Sequence, residues 1–456
     1  MASISQNTPH CELCSAYIEK FITESALSQT VHALSHKTKG IRPMAVVRFI
    51  LSSLFSGRSI YQRLGEAPFA KDVYYRTLRS FTGWFHRLPE IAARIINGTL
   101  APLTNADRDK VFVVDDTAYE RSCSQHVELQ AKLFDHARQR FTRGFRLLTL
   151  LWSDGASTVP VDGILLSSAN EQSRMAEPEA EAEKDPHRKL IRRESMKKAP
   201  EVVVDMLTLA KRNAIQASYV LCDSWFTMPG LVTTIHTMGY NVIGMVKKSS
   251  KIHFAWQGKM VSDKYIYQHN RKRRGMAHIR LSVDVTVVSE KDGVLSRIPA
   301  RMVFVSSSAN RKNWLVLLST DTTVSEEKIC QLYAKRWTAE VFYKVCKSVL
   351  HITKGCQCRH YDSIVSYVSL VLIQYMMLSI MERNDIDDRT MGELFFFMCD
   401  QIADLSAEAA MTLLLRALFE DITQSFRFSQ QEQTRLMEIF LKHLPEAIGK
   451  NLNPAA

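Results

Sequence analysis

The chain has 456 residues, too many for one small core, so its length predicts two to four domains. A hydrophobic content of 46% with only 17 Gly and 13 Pro excludes collagen-like, low-complexity and largely disordered chains. The formal net charge of +12 indicates a polyanionic partner. Nucleic acid and an anionic membrane surface both fit that charge.

The compartment is predicted from the N-terminus and the cysteines. The first residues lack the basic stretch and apolar core of a secretory signal. Nine cysteines, an odd number, suit a reducing compartment and thus the cytoplasm. The apolar run 364–381 sits at the lower length limit for a membrane span. A lone span would interrupt an otherwise soluble chain, so we expect a buried core helix and no membrane partner.

Residues 1–105 are predicted to be helical. Val46, Val47, Ile50 and Leu51 recur at helical spacing. Two short helices, 59–64 and 71–79, flank a turn at 65–68, and the second is rich in basic and hydroxyl side chains. This arrangement suits a DNA-binding helix-turn-helix, and an ordinary helical subdomain fits equally well.

Residues 106–246 alternate between strands and helices. We predict strands at 111–114, 144–152, 158–166, 219–222 and 241–246, and helices beginning at Pro200 and spanning 231–238. The charged stretch 171–198 is predicted to be a surface excursion. Three strands, a helix, a strand, a helix and a strand form the order of an RNase H-like core. Two predicted strands end at acids, Asp115-Asp116 and Asp223, and strand ends hold side chains firmly at one sheet edge.

Residues 247–312 carry most of the positive charge. This basic segment has short predicted strands and 15 Lys/Arg against 4 Asp/Glu. Its densest point is the run of Arg271, Lys272, Arg273 and Arg274. We expect a surface that follows DNA phosphates, with a merely solvated basic surface as the alternative.

Residues 313–384 contain a predicted strand at 314–319 and a long helix at 326–347. At about 100° per residue, four side chains of that helix share a stripe roughly 60° wide: Tyr333, Arg336, Glu340 and Lys347. An adjacent apolar face is predicted to pack on the core: Trp337, Val341, Phe342 and Val345. A solvated charged face would explain one Arg–Glu pair, but not four functional groups in register.

The spacing Tyr-x2-Arg-x3-Glu-x6-Lys at Tyr333, Arg336, Glu340 and Lys347 resembles the signature of the insertion-sequence-4 family of DDE transposases. Asp115-Asp116-Thr117 resembles that family's first acidic motif, and Cys222-Asp223 resembles its second. The long gap between Asp223 and Glu340 is similar to the gap in family members that carry a β-strand insertion at this place. The resemblance covers about residues 105–380, so the two ends of the chain add little to it.

The resemblance implies an α/β fold, with an RNase H-like core, a β-rich insertion and helical N- and C-terminal regions. It implies two Mg²⁺ ions, replaceable by Mn²⁺, held by Asp116, Asp223 and Glu340. Strand alternation lets only one of Asp115 and Asp116 face the metals, and alignment to the family motif favours Asp116.

The resemblance also implies how DNA is held. Arg336 and Lys347 would grip phosphates, and Tyr333 would hydrogen-bond a phosphate near the cut. Trp314 would stack on a flipped base, as a Trp of this neighbourhood does in relatives, or would be a buried strand residue. Trp225, next to Asp223, is expected to be a packing residue.

The predicted function is cut-and-paste DNA transposition in the bacterial cytoplasm, in association with the nucleoid. The partners would be double-stranded DNA, as terminal inverted repeats and target, and a second copy in a homodimer. Residues 385–456 are predicted to be helical and could pair the two copies. The alternatives are a catalytically inactive DNA-binding protein, such as a repressor or domesticated transposase, and an RNase H-like nuclease without strand transfer.

Overall fold

A computed structural model describes residues 8–385, apart from 36, 38, 54–58, 82, 106, 125, 136–138, 180–181, 274–277, 292 and 307–312. The predicted C-terminal dimerisation region, 385–456, therefore lies outside the described residues, except for Asp385 itself.

The N-terminal part is helical, as predicted. Its helices are α1 (Thr8–Glu24), α2 (Leu27–Leu34), α3 (Pro43–Ser52), α4 (Ile60–Arg63), α5 (Lys71–Ser80) and α6 (Trp84–Arg94), and α6 continues into a π-helical segment (Ile95–Leu100). Ser59 begins α4 with a capping box to Gln62. Helices α4 and α5 match the two helices predicted around a turn. Helix α5 is anchored to the rest of the chain, because the buried Tyr74 hydroxyl donates to the Gly355 carbonyl oxygen at 3.0 Å.

Within the part of the chain that the structure describes, eleven strands form one mixed sheet. The strands are β1 (Val111–Glu120), β2 (Ala131–Asp135), β3 (Arg140–Ser153), β4 (Thr158–Leu166), β5 (Tyr219–Cys222), β6 (Asn241–Met245), β7 (Phe254–Trp256), β8 (Lys259–Val261), β9 (Ile279–Lys291), β10 (Val294–Ser306) and β11 (Trp314–Ser319). Their order is β2-β3-β1-β5-β6-β11-β10-β9-β7-β8, and β4 pairs with β3 beside β2.

The strands predicted between 111 and 246 are all present. β1 is antiparallel to β3 and parallel to β5, which is in turn parallel to β6. The short strand β2 was not predicted. β1 is also longer than predicted, because β3 pairs with it from Val111 to Glu120. Asp115 and Asp116 therefore lie inside this strand rather than at its end.

The basic segment extends the same sheet. β11 pairs antiparallel with β6, and β10 and β9 follow, with register shifted once near Phe304. A short helix, α10 (Asp263–His269), precedes β9. The long β9–β10 hairpin thus continues directly from the central strands through backbone hydrogen bonds.

Two helices, α7 (Pro186–Ser195) and α8 (Ala199–Arg212), lie between β4 and β5. Helix α7 falls in the stretch predicted as a surface excursion, and that prediction is wrong for its inner face. The buried Arg192 guanidinium binds Glu128 at 2.6 and 2.9 Å and Asp362 at 3.0 and 2.9 Å. At least one charged residue of the stretch 171–198, Arg192, is therefore part of a buried ion triad.

Helix α9 (Pro229–Thr237) connects β5 to β6, and α13 (Tyr361–Asp385) crosses the core. Among the described residues, one helix, 361–380, is long and apolar enough to span a membrane by length and composition, and 89% of that window is buried inside the protein. This burial agrees with the predicted core helix.

The single helix predicted for 326–347 is wrong. The structure has α11 (Glu326–Ala334) and α12 (Trp337–Ser348), separated at Lys335 and Arg336. There the backbone tightens, because Lys335 N and Arg336 N donate to carbonyls three residues back, at 3.1 and 2.9 Å. The break changes which face of α12 is buried: Ala339, Phe342, Tyr343 and Cys346. Of the predicted apolar face only Phe342 is buried, whereas Val341 is exposed.

Candidate active site

Two acids lie where the parallel part of the sheet ends. The last paired residues of β1 and β5 are Val114 and Cys222. Asp115 comes next on β1, and Asp223 directly follows the end of β5. Residues at matching positions of parallel strands point to the same face of a sheet. Asp115 and Asp223 therefore lie on the same face of the sheet, at the edge where the pairing of β1 with β5 ends.

Asp115 is buried and held from three sides. Its carboxylate accepts a hydrogen bond from Asp116 N at 2.8 Å and pairs with Arg336 Nη1 at 3.1 Å. Its backbone carbonyl accepts a hydrogen bond from the Tyr343 hydroxyl at 2.7 Å, and Thr149 Oγ1 lies 2.7 Å from that hydroxyl. Tyr343 thus ties helix α12 to strand β1 beside the acid.

Asp116 points to the opposite face of β1. Its carboxylate lies 3.5 Å from the Arg146 guanidinium on β3. The geometry therefore favours Asp115 over the predicted Asp116 as the acid that faces Asp223 and the α12 helix. Both acids stand in the family motif, and the pairing of β1 with β5 distinguishes them.

Asp223 lies in a hydrogen-bonded turn after β5. Its Oδ1 accepts hydrogen bonds from Trp225 N at 2.9 Å and Phe226 N at 3.1 Å, and its carbonyl accepts one from Thr227 Oγ1 at 2.6 Å. Thr227 packs so closely on Gly244 of β6 that an added Cβ would lie 2.2 Å from its Oγ1. The glycine makes room for the turn that aims the carboxylate.

Glu340 is linked to Asp115 through Arg336. Glu340 Oε1 lies 3.5 Å from Arg336 Nη2, and its side chain is 48% exposed, at the rim of the site. Burial raises the pKa of Asp115 to about 7; Arg336 opposes this rise, and the negative charges of Glu340 and Asp223 add to it. We call Asp115, Asp223 and Glu340 the acid cluster, with Arg336 as its counter-charge.

The acid cluster has the donor chemistry of a divalent-cation site, since carboxylate oxygens suit Mg²⁺ and Mn²⁺. Within the described ranges, however, no three His, Cys, Asp or Glu side chains are grouped as a set of metal ligands. Arg336 contacts two of the three acids. The carboxylate oxygens are suitable ligands for these ions. For all three acids to bind a metal ion together, the Glu340 side chain would have to turn inward and Arg336 would have to move away from the acids.

Of the other two signature residues, Tyr333 is buried and Lys347 is exposed. Tyr333 is buried, with Arg336 Cζ 5.9 Å from its ring centre, and burial raises the pKa of its phenol. Such a position does not match the predicted contact with a phosphate. Lys347 is exposed, and its ammonium donates to Thr117 Oγ1 at 2.6 Å.

Trp314 packs into the sheet extension. Its ring stacks on Tyr267 with centres 4.7 Å apart and lies 5.4 Å from Phe304, and Lys248 Nζ is 4.8 Å from its centre. The half-buried ring thus has partners within the protein. Of the two predicted roles, this environment favours the packed strand residue over the base-stacking one.

The predicted basic run is only partly free to meet DNA. Arg271 is exposed, and Lys272 Nζ lies 4.8 Å from the Tyr267 ring centre. Arg273 is paired with Glu326 at 2.6 Å. Arg274 lies outside the described residues.

Three residues beside the acids were missed or underrated from the sequence: Tyr343, Arg146 and Trp225. Tyr343 follows Glu340 by three residues, so helical spacing could have placed it near the site. Arg146 becomes visible only through the pairing of β3 with β1. Trp225 was predicted to pack, yet its side chain is 45% exposed.

Acids at one edge of buried strands, with a helix that brings a third acid and an arginine, are the arrangement expected of a DDE-class endonuclease. The chain matches the family model described as DDE superfamily endonuclease over residues 51–303, more than half of its length. It therefore belongs to that family. The match ends before Glu340, so the Tyr-Arg-Glu-Lys signature lies outside it. None of the curated proteins compared with the chain matches it.

Proposed function

We propose that this chain is a Mg²⁺-dependent DNA transposase that cuts DNA at the ends of a mobile element and joins them to a target. The observation that carries the proposal is the geometry of the acid cluster. Asp115 and Asp223 follow the last paired residues of β1 and β5, and Arg336 pairs with both Asp115 and Glu340, although Glu340 is 117 residues beyond Asp223. Family membership supports the nuclease part, and the Tyr-Arg-Glu-Lys spacing supports the narrower assignment to the insertion-sequence-4 group.

We infer that the five strands β4-β3-β1-β5-β6 form an RNase H-like core. The antiparallel half followed by a parallel half, with the acids on β1 and after β5, supports this assignment. The domain limits expected from the sequence, namely 1–105, 106–246, 247–312, 313–384 and 385–456, remain part of the proposal.

Each residue near the site has a role in the proposed reaction. Asp115, Asp223 and Glu340 would hold two Mg²⁺ ions, and bound Mg²⁺ would supply activation of the attacking oxygen and stabilisation of the leaving oxygen at phosphorus. Tyr343 and the Trp225–Thr227 turn hold Asp115 and Asp223 in place. Arg336 neutralises the acids before DNA arrives and can then donate to a phosphate as a planar fork.

The two DNA strands of the element ends would follow the basic segment. Exposed cations such as Arg271 and Lys347 supply sequence-independent attraction to phosphates. Cut-and-paste movement further requires two ends to be held together, which is why we propose a homodimer. Binding of terminal inverted repeats and action in the cytoplasm at the nucleoid belong to the same proposal.

The test is a plasmid that carries the gene together with its flanking DNA, incubated with the purified protein. We expect Mg²⁺ or Mn²⁺ to support cleavage at the element ends and joining to a second plasmid, and EDTA to stop both. Sequencing the junctions measures both outcomes.

Other outcomes would identify the alternatives. Binding to the flanking DNA without cleavage in any divalent cation would indicate an inactive DNA-binding protein and overturn the enzyme proposal. Cleavage without joined products, under conditions where 3′-hydroxyl ends persist, would indicate a nuclease that lacks strand transfer.

A further inference from the structure

Two cysteines lie side by side in the segment that connects α12 to α13. Cys356 and Cys358 are separated by one residue. The Cys356 thiol is fully buried and contacts the Cys358 sulfur, and Cys356 Sγ lies 3.9 Å from the Ser363 carbonyl oxygen. Cys358 is only partly buried. The pair thus combines one thiol that is shielded from solvent with one that solvent reaches.

The backbone that carries the two thiols is held by other parts of the protein. The Gly355 carbonyl oxygen accepts a hydrogen bond from the Tyr74 hydroxyl at 3.0 Å, and the Arg359 carbonyl oxygen accepts one from Glu128 N at 2.9 Å. Gly355 packs so closely on Tyr367 that an added Cβ would lie 1.9 Å from its hydroxyl oxygen. Because both ends of the segment are anchored, the two thiols are held together by the fold.

The surroundings of Cys358 favour a thiolate. The His360 backbone N–H donates to the Cys358 sulfur, at the positive N-terminal end of the 25-residue helix α13. The Ser363 hydroxyl faces the same sulfur, is fully buried and has no other hydrogen-bond partner among the described residues. The hydrogen bond from the Cys356 thiol, together with these donors, lowers the pKa of Cys358 to about 5, although burial opposes the shift.

We propose that Cys356 and Cys358 form a reversible oxidation site for hydrogen peroxide, in which Cys358 reacts first and Cys356 completes a disulfide. The Cys358 thiolate attacks a peroxide oxygen, the O–O bond breaks, and the leaving hydroxide takes up a proton to form water. The Cys356 sulfur then attacks the Cys358 sulfenic acid, the S–O bond breaks, and a second water leaves with the Cys356 proton. The two thiols are oxidised to one disulfide, and one peroxide is reduced to two waters.

The disulfide would close a small ring in the connection between α12 and α13. In a reducing compartment, which the cysteine count predicts for this chain, such a bond is transient and is reversed by other thiols. Neither cysteine belongs to the acid cluster. The oxidation site and the proposed DNA cleavage can therefore each fail without the other.

The test is peptide mass spectrometry of the full chain after exposure to hydrogen peroxide at about pH 6, where few ordinary thiols are ionised, and alkylation of the remaining thiols. Trypsin cuts after Lys354 and Arg359, so the two cysteines fall together in the peptide 355–359 without any other cysteine. We expect this peptide to lose two hydrogen atoms and to escape alkylation. Dithiothreitol should restore both thiols.

Cys123 is the matched control within the same chain, because it is exposed whereas Cys358 is only partly so. If exposure alone decided reactivity, Cys123 would react first. A thiolate that is almost fully formed at about pH 6 should instead make Cys358 react with iodoacetamide about fivefold or more faster, even though a low-pKa thiolate is a weaker nucleophile. The tryptic peptides 355–359 and 122–132 report the two rates.

Two variants assign the roles within the pair. Cys356→Ser should leave Cys358 as a sulfenic acid that dimedone labels, whereas Cys358→Ser should leave Cys356 reduced. Circular dichroism checks that both variants are folded, and the measurements on the wild type need no variant. A peptide 355–359 that stays reduced while Cys123 is oxidised, faster alkylation of Cys123 than of Cys358, or oxidation of Cys356 in Cys358→Ser as in wild type would each overturn the proposal.

Discussion

Asp115 and Asp116 are neighbours on β1, yet their carboxylates have different surroundings. Asp115 faces Arg336 and is buried, whereas Asp116, one residue on, faces Arg146 across β3. The sequence shows two adjacent acids and cannot rank them by alternation, since either parity of the strand satisfies it. The order is decided by the register with β5, which depends on residues more than a hundred positions away along the chain.

Asp115→Asn should lower cleavage by about a thousandfold or more, because a metal ligand would supply several kcal/mol of transition-state stabilisation. Asp116→Asn breaks a partly exposed ion pair and should lower cleavage by less than about tenfold. Initial rates on the same plasmid measure both variants. The reverse ranking would return the ligand role to Asp116.

Asp162 provides a separate test in the pH dependence of stability. It is fully buried on β4, one carboxylate oxygen has no hydrogen-bond partner among the described residues, and burial raises its pKa well above 3.8. The folded protein therefore keeps this acid neutral, so its contribution to stability is present at low pH and lost as pH rises above the unfolded-state pKa.

Asp162→Asn should remove that loss. The free energy of unfolding of the variant, relative to wild type, should increase with pH above about 4 by up to about 1.4 kcal/mol per pH unit for the one proton concerned. Urea titrations between about pH 4 and pH 8 measure the difference. A difference that does not change over this range would show that Asp162 is ionised in the folded protein.

Helices and strands that depend on local sequence patterns could be predicted, whereas those that depend on long-range packing could not. The strands from 111 to 246 follow from apolar spacing, and so do the helices α8, α9 and α13, which is why the sequence places them within a few residues. β2 is short and mixed in composition, so no pattern marks it. The break between α11 and α12 could not be predicted, because Tyr333–Trp337 contains neither glycine nor proline and the tightening depends on contacts such as Lys335 Nζ to the Asp109 carbonyl at 2.6 Å.

The α7 helix is joined to α13 by the buried triad of Arg192, Glu128 and Asp362. Arg192→Met should lower the free energy of unfolding by about 3–5 kcal/mol, because two buried carboxylates would lose the guanidinium that bridges them, and Arg188 reaches Asp362 only at 3.8 Å. Arg76→Met, which breaks an exposed pair with Asp72, should cost no more than about 1 kcal/mol. Chemical denaturation of both variants gives the comparison. Equal losses would mean that water reaches the triad.

For the whole molecule, the charge distribution is as informative as the fold. The basic segment, 247–312, supplies a net excess of 11 positive charges out of +12 for the chain. This imbalance was readable from the sequence, whereas the attachment of the segment to the core sheet was not. The strands β9 and β10 present some of these cations on a sheet continuous with the acid cluster.

Replacing Arg271 and Lys272 with Gln should weaken DNA binding and make the plot of log affinity against log salt shallower, by about 0.9 for each phosphate that is no longer neutralised. Lys20→Gln, a change to an exposed cation on helix α1, which packs on α2 and α3, should leave the slope unchanged. Fluorescence anisotropy at several salt concentrations measures the slopes. An equal slope in wild type and the double variant would place the DNA elsewhere.

The pairing of β11 with β6 restricts how this protein can change length during evolution. Excising the whole basic segment with β11 would leave β6 with an unpaired, apolar border open to other chains. The outermost strands, β7 and β8, are attached to β9 at one residue pair, Ala255 with Thr286. Homologues should therefore gain and lose residues at that outer margin, while the junction next to β6 keeps a constant length.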